Sequence, residues 1–174
     1  MLVNPGASMS DIAQAAGVGR ATLYRHFETR EQIIRELAVE SLEMTDAALK
    51  PVRLAGLDAR ETFEQGLIAV MQVADRYHFL LALWSHAEND PEVAAIYQRQ
   101  IRQLAELIER GKGEGSIDRD LSTEWIATLV DSLVYSGWWA VHSGDLSAGQ
   151  AGRNAARVLF NGVSPQNSSR AGQE

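Results

Sequence analysis

Arg20, Thr22, Tyr24, Arg25 and His26 fall within seven residues and carry hydrogen-bond donors, two fixed positive charges and two rings. Leu23 and Phe27, four residues apart, turn inward on a short helix, which leaves those five side chains for contacts outside the molecule. A preceding helix is expected from Ser8, whose hydroxyl can cap it, with Asp11 as the capping acid three positions on. Ile12, Ala13 and Ala16 line one face of that helix. Gly17 follows, where a left-handed helix end needs a residue without a Cβ. Val18 is expected to plug the turn and Gly19 to cap the second helix, Arg20 to Phe27. Two short helices around a glycine turn have the layout of a helix-turn-helix DNA reader.

The elements around this reader all read as α-helices. Thr29-Arg-Glu-Gln32 supplies a second capping box for a helix over 28–50 that carries Ile33, Ile34, Leu37, Ala38, Leu42 and Ala48 and is closed by Pro51. After a break at 54–57, Asp58 caps a helix reaching about Arg76, with Phe63, Leu67, Val70, Met71 and Ala74 along one stripe. His78 to Glu88 forms a shorter helix. Asp90 and Pro91 restart the chain for a helix to Arg110, stopped by Gly111-Lys-Gly-Glu-Gly115. Ser122 caps a helix with a wide apolar face from Ile126 to Val141, and Ser147 with Gln150 opens a last helix to about Gly162. Residues 164–174 read as a disordered tail. No alternating strand pattern is present.

The quoted residues Ile12-Ala13, Ala16-Gly17-Val18, Thr22-Leu23-Tyr24, His26-Phe27 and Thr29-Arg30-Glu31 resemble the TetR family of one-component bacterial regulators. Gly19 stands where the family pattern has Ser, a mild loss of capping, and Arg30 where it has Lys, which keeps the charge. The motif covers the first fifty residues; beyond them the likeness rests on helix count and the glycine-rich break at 111–115. The family begins with a further helix before the reader, whereas Met1 to Val3 precede the turn Asn4-Pro5-Gly6. The chain is therefore expected to be N-terminally shortened, with that first helix largely absent.

The resemblance implies an all-α fold with an N-terminal helix-turn-helix and a larger helical ligand-binding and dimerisation domain. Residues 1–50 would be the DNA-binding domain with its connecting helix, 51–163 the ligand-binding and dimerisation domain, and 164–174 the tail. It also implies a cytoplasmic, homodimeric transcription regulator that is not an enzyme and carries no cofactor. A small apolar or aromatic effector would release it, as a repressor, from a double-stranded DNA operator. Arg20, Ala21 and Thr22 would lie nearest the base edges, where Arg bonds guanine N7 and O6 and Thr meets the thymine methyl. Tyr24, His26 and Arg30 match phosphate-contacting positions, and Arg25 joins this DNA-binding set. The alternative is a dimeric small-molecule-binding module with impaired DNA binding. Without a first helix, Ile12, Leu23 and Phe27 would lose packing surface, at about 1.5–3 kcal/mol per exposed large side chain.

Aromatic residues of the body are the effector candidates. Tyr77, His78, Trp84, Tyr135, Trp138 and Trp139 could line an apolar pocket, with Tyr O–H and Trp N–H as polar handles, or could equally be core. Small residues on the last two helices, namely Ala127, Ser132, Ser136, Gly137, Ala140, Gly152, Ala155 and Ala156, allow close helix approach. In the family these helices pair with their copies in a four-helix dimer bundle.

Other chemistries find no support. His78 and His86 are eight apart, too far for an i, i+4 metal pair. The 111–115 loop lacks the Gly-Lys-Ser/Thr ending of a phosphate loop. Ser85-His86 and His142-Ser143 are neighbours whose side chains diverge on a helix, so no nucleophile is assembled. Absence of cysteine among 174 residues excludes disulfide and thiol chemistry. No signal peptide or convincing membrane span is seen. A net charge of −7 argues against a general nucleic-acid coat protein. It is compatible with an acidic body and a local basic tip at Arg20, Arg25, Arg30 and Arg35.

Overall fold

Apolar side chains spaced three and four apart drive the regular elements, and among the described residues each of these is an α-helix. The computed structural model describes residues 6–74 and 84–163. Its helices are α1 (Met9–Ala15), α2 (Arg20–His26), α3 (Arg30–Leu54), α4 (Ala59–Met71), α5 (Pro91–Glu114), α6 (Thr123–His142) and α7 (Ala148–Val163). The first three residues, the tail at 164–174 and most of the helix expected over His78–Glu88 lie outside the described residues. Trp84 to Ala87 is helical, and Glu88 N–H donates to the Trp84 carbonyl at 2.8 Å.

Most helix starts follow the local chemistry of their caps. Asp58 accepts from Glu61 N–H at 2.8 Å, and Asp90 from Glu92 and Val93 N–H at 3.0 and 3.2 Å. Ser122 accepts from Trp125 N–H, and Ser147 and Gln150 form a reciprocal pair. The box at Thr29 is displaced by one residue: Thr29 Oγ1 accepts from Gln32 N–H, but Gln32 Oε1 accepts from Glu28 N–H.

Three helix ends differ from expectation. Pro51 does not close α3, which continues to Leu54. The Arg53 guanidinium donates to the Asp46 carbonyl at 3.0 Å and to Gln103 Oε1 at 3.3 Å, holding the final turn although residue 51 has no N–H. The helix expected to reach Arg76 ends at Met71. The glycines at 111 and 113 do not stop α5, which runs on to Glu114. Gly115, at φ +80, makes the turn: its N–H bonds Lys112 O, and Ser116 N–H bonds Gly111 O at 3.0 Å.

Packing divides the chain into two compact units that do not follow sequence order. Residues 1–45 group with 75–98, and 46–74 group with 99–174. In the first unit Ala13, Leu23 and Ile33 form one cluster with Met9, Ile12 and Phe27. Ile34, Ala38, Leu42, Ala87, Val93 and Ile96 form a second. Leu37 packs against both. In the second unit α4, α6 and α7 pack together. Phe63 meets Phe160 edge-on at 6.0 Å, and Ile126 and Leu159 of the same unit are fully buried. The small residues Gly137, Gly152, Ala155 and Ala156 are buried inside the chain, whereas Ser132 and Ser136 are exposed. Among the described residues no helix is long and apolar enough to cross a membrane.

Candidate DNA-reading surface

Local hydrogen bonds fix the geometry of the reader. Ser8 Oγ donates to Asp11 Oδ2 at 2.7 Å, Ser8 N–H donates to the same oxygen at 2.9 Å, and Asp11 N–H donates back to Ser8 Oγ at 3.3 Å. The Ser8 hydroxyl, then the Ser8 N–H, hold the Asp11 carboxyl below its ordinary pKa. At the other end of α1, Gly17 adopts φ +68. Its N–H bonds Gln14 O and Val18 N–H bonds Ala13 O at 3.0 Å, which closes the helix and turns the chain toward α2. Two expectations about this turn are corrected. Val18 is 39% exposed instead of plugging it, because its backbone makes the closing bond while its side chain points out. Ala16 caps α1 and is exposed, leaving Ala13 as the buried alanine of that face.

Helix α2 is anchored by Leu23, 7% exposed, and by half-buried Phe27 against Ala13 and Ile33. Arg20, Ala21, Thr22, Tyr24, Arg25 and His26 are all exposed. Gly19 caps α2 with no side-chain bond. Arg30 opens α3 with its side chain only 18% exposed, 3.9 Å from Glu31.

Arg35, counted from sequence with the basic tip, is engaged elsewhere. Its Nε lies 3.1 Å from Asp90 Oδ2, and its guanidinium also pairs with Glu92. No local signal points to this, since the partners are more than fifty residues away in sequence. Asp90 therefore caps α5 and receives Arg35 at once.

The effector candidates separate. Tyr77 and His78 lie outside the described residues. Trp84 is half-buried in the first unit and packs against Tyr97, ring centroids 4.4 Å apart and planes tilted by 51°. Trp138 belongs to the second unit, is 5% exposed, and stacks on His142 at 5.0 Å. Tyr135 and Trp139, on the same helix, are 44% and 57% exposed.

Comparison with known proteins agrees with this geometry. Residues 5–37 match the model for bacterial regulatory proteins of the tetR family. The transcriptional repressor KstR2 of Rhodococcus jostii is 23% identical over 173 residues, spanning 92% of this chain and 83% of that protein. The reader over residues 5–37 is thus of the tetR type. Solved tetR-family structures share its fold. The ketosteroid regulator KstR2 of Mycobacterium tuberculosis superposes with a TM-score of 0.73 at 20% identity, covering 92% of this chain and 86% of that one. LfrR of Mycobacterium smegmatis, solved in complex with proflavine, gives 0.69 at 21% identity over 95% and 91%.

Proposed function

We propose that this chain is a cytoplasmic, homodimeric repressor of the tetR family that a small apolar or aromatic molecule releases from operator DNA. The observation that carries the reading is α2: its inner residues are buried against α1 and α3 while Arg20, Ala21, Thr22, Tyr24, Arg25 and His26 are exposed. In this reading Arg20, Ala21 and Thr22 meet base edges in the major groove. Tyr24, Arg25, His26 and Arg30 hold phosphates, fixing register without reading sequence. The effector assignment is supported by LfrR having been solved with proflavine, a planar aromatic. Trp138 is the effector candidate that the second unit holds buried, within its core, and Tyr135 and Trp139 are the exposed ones.

The test is a fluorescence-anisotropy titration against DNA from upstream of the gene, at several salt concentrations. Sequence-dependent binding that weakens steeply with salt is expected. Equal affinity for a scrambled duplex would overturn the operator reading.

A further inference from the structure

On α3, Ile33 and Ile34 are neighbours in sequence and serve different cores. Ile33 is buried with Ala13 and Leu23 of the reader, and Ile34 with Ala87, Val93 and Ile96. At about 100° of turn per residue, Leu37 projects about 40° from Ile33 and about 60° from Ile34. It stands between the two rows and packs against both clusters. Among the described residues it is the side chain that the two clusters share.

The two cores are unequal. The reader's holds three buried side chains, one of them an alanine, whereas the other holds six. So thin a core opens locally at small cost, and reading base edges needs side chains held to within about 0.5 Å. The larger core is itself fixed at the start of α5. Asp90 Oδ1 accepts from Glu92 and Val93 N–H at 3.0 and 3.2 Å, while Asp90 Oδ2 lies 3.1 Å from Arg35 Nε. One carboxylate thus starts α5 and ties that start to α3, and Glu92 is a second partner for the same guanidinium. Val93 and Ile96, three apart on one face of α5, enter the cluster, and the Trp84–Tyr97 ring pair packs against it.

We propose that residues 84–98 brace the DNA reader and that Leu37 is the residue through which they position α2. The inference rests on α2 being the helix that contacts DNA, and adds what holds that helix in place. Residues 84–98 group by packing with the reader, although they lie far beyond it in sequence. They act without touching DNA: operator affinity depends on them through the side chains that keep α2 still.

The test uses the full chain and two matched deletions. Val93→Ala and Val163→Ala remove the same methyl groups from side chains buried in the first and the second unit respectively. Val93→Ala should speed amide exchange across Arg20–His26 by about tenfold and weaken operator binding. The log-affinity against log-salt slope should stay unchanged, because no phosphate contact is lost. Val163→Ala should do neither. Leu37→Ala should reproduce the V93A pattern, and adding V93A to it should change α2 no further, since the link is already cut. Leu37→Met, which keeps a long apolar side chain there, should stay near wild type in both readouts. Equal effects of V93A and V163A on α2 would mean global unfolding and overturn the brace. Effects of L37A and V93A that simply add would overturn Leu37 as the link. Exchange that follows the expected pattern in a chain indifferent to operator sequence supports the brace and overturns the DNA reading instead.

Discussion

Arg30 and Arg35 are one helical turn and a little more apart on α3, yet their surroundings assign them different work. Arg35 is drawn to Asp90 and Glu92, so its charge is neutralised within its own unit. If Arg30 meets a phosphate, Arg30→Ala flattens the log-affinity against log-salt slope by about 0.9, whereas Arg35→Ala leaves the slope unchanged. Arg35→Ala should instead lower stability by roughly 0.2–1 kcal/mol, since its pairs are partly solvated. Salt titrations and urea melts of the two variants check both statements. Asp11 offers a pH test at the same scale. Its folded pKa is depressed by Ser8, so the stability it contributes is fully present above the ordinary carboxylate range and is lost as pH falls through the lowered value. Amide exchange in α1 should accelerate on acidification through that window in the wild type. In Asp11→Asn it should already be fast and show no such step beyond the ordinary pH dependence of exchange.

Helix starts were legible because a cap is chemistry within four residues, as at Asp58, Asp90, Ser122 and Ser147. Helix ends and pairings were less so, because distant contacts decide them. Gly111 reads as a stop, but it sits inside α5, where an added Cβ would lie 2.7 Å from Ile117 Cδ1. Nothing near Arg35 in sequence announces Asp90, and nothing in Trp84 announces Tyr97. The outward face of α2 was legible in full, since a helical period and two anchors, Leu23 and Phe27, determine it. The glycines of the body make the contrast testable. A Cβ at Gly152 would stand 2.5 Å from the Ile68 Cα, which is backbone and cannot swing aside, whereas one at Gly113 meets nothing within 4 Å. Gly113→Ala should therefore stabilise by about 0.4–1 kcal/mol. Gly152→Ala should destabilise by roughly 1–3 kcal/mol, overpacking outweighing the gain in helix propensity. Thermal melts of the two variants moving in opposite directions is the expected outcome.

At the scale of the molecule, α3 and α5 each run through both compact units. The residues proposed for DNA and Trp138, a proposed effector residue, lie in different units. Binding at one can alter the other only if the effector prefers one arrangement of the chain to another, since a ligand with equal affinity for both shifts nothing. That requirement has a consequence independent of the route between the sites. If an effector weakens operator binding by some factor, the operator must weaken effector binding by the same factor, typically about 5- to 150-fold. Calorimetric titration of an aromatic effector into the free protein and into its operator complex measures the second factor, and anisotropy with and without effector measures the first. Equal factors are expected for a repressor released by its ligand. An effector affinity unchanged by saturating operator, alongside a clear loss of DNA binding, would mean that the molecule competes at the reader itself. Trp138→Ala separates these cases, because it should abolish release while leaving operator affinity in the absence of effector intact.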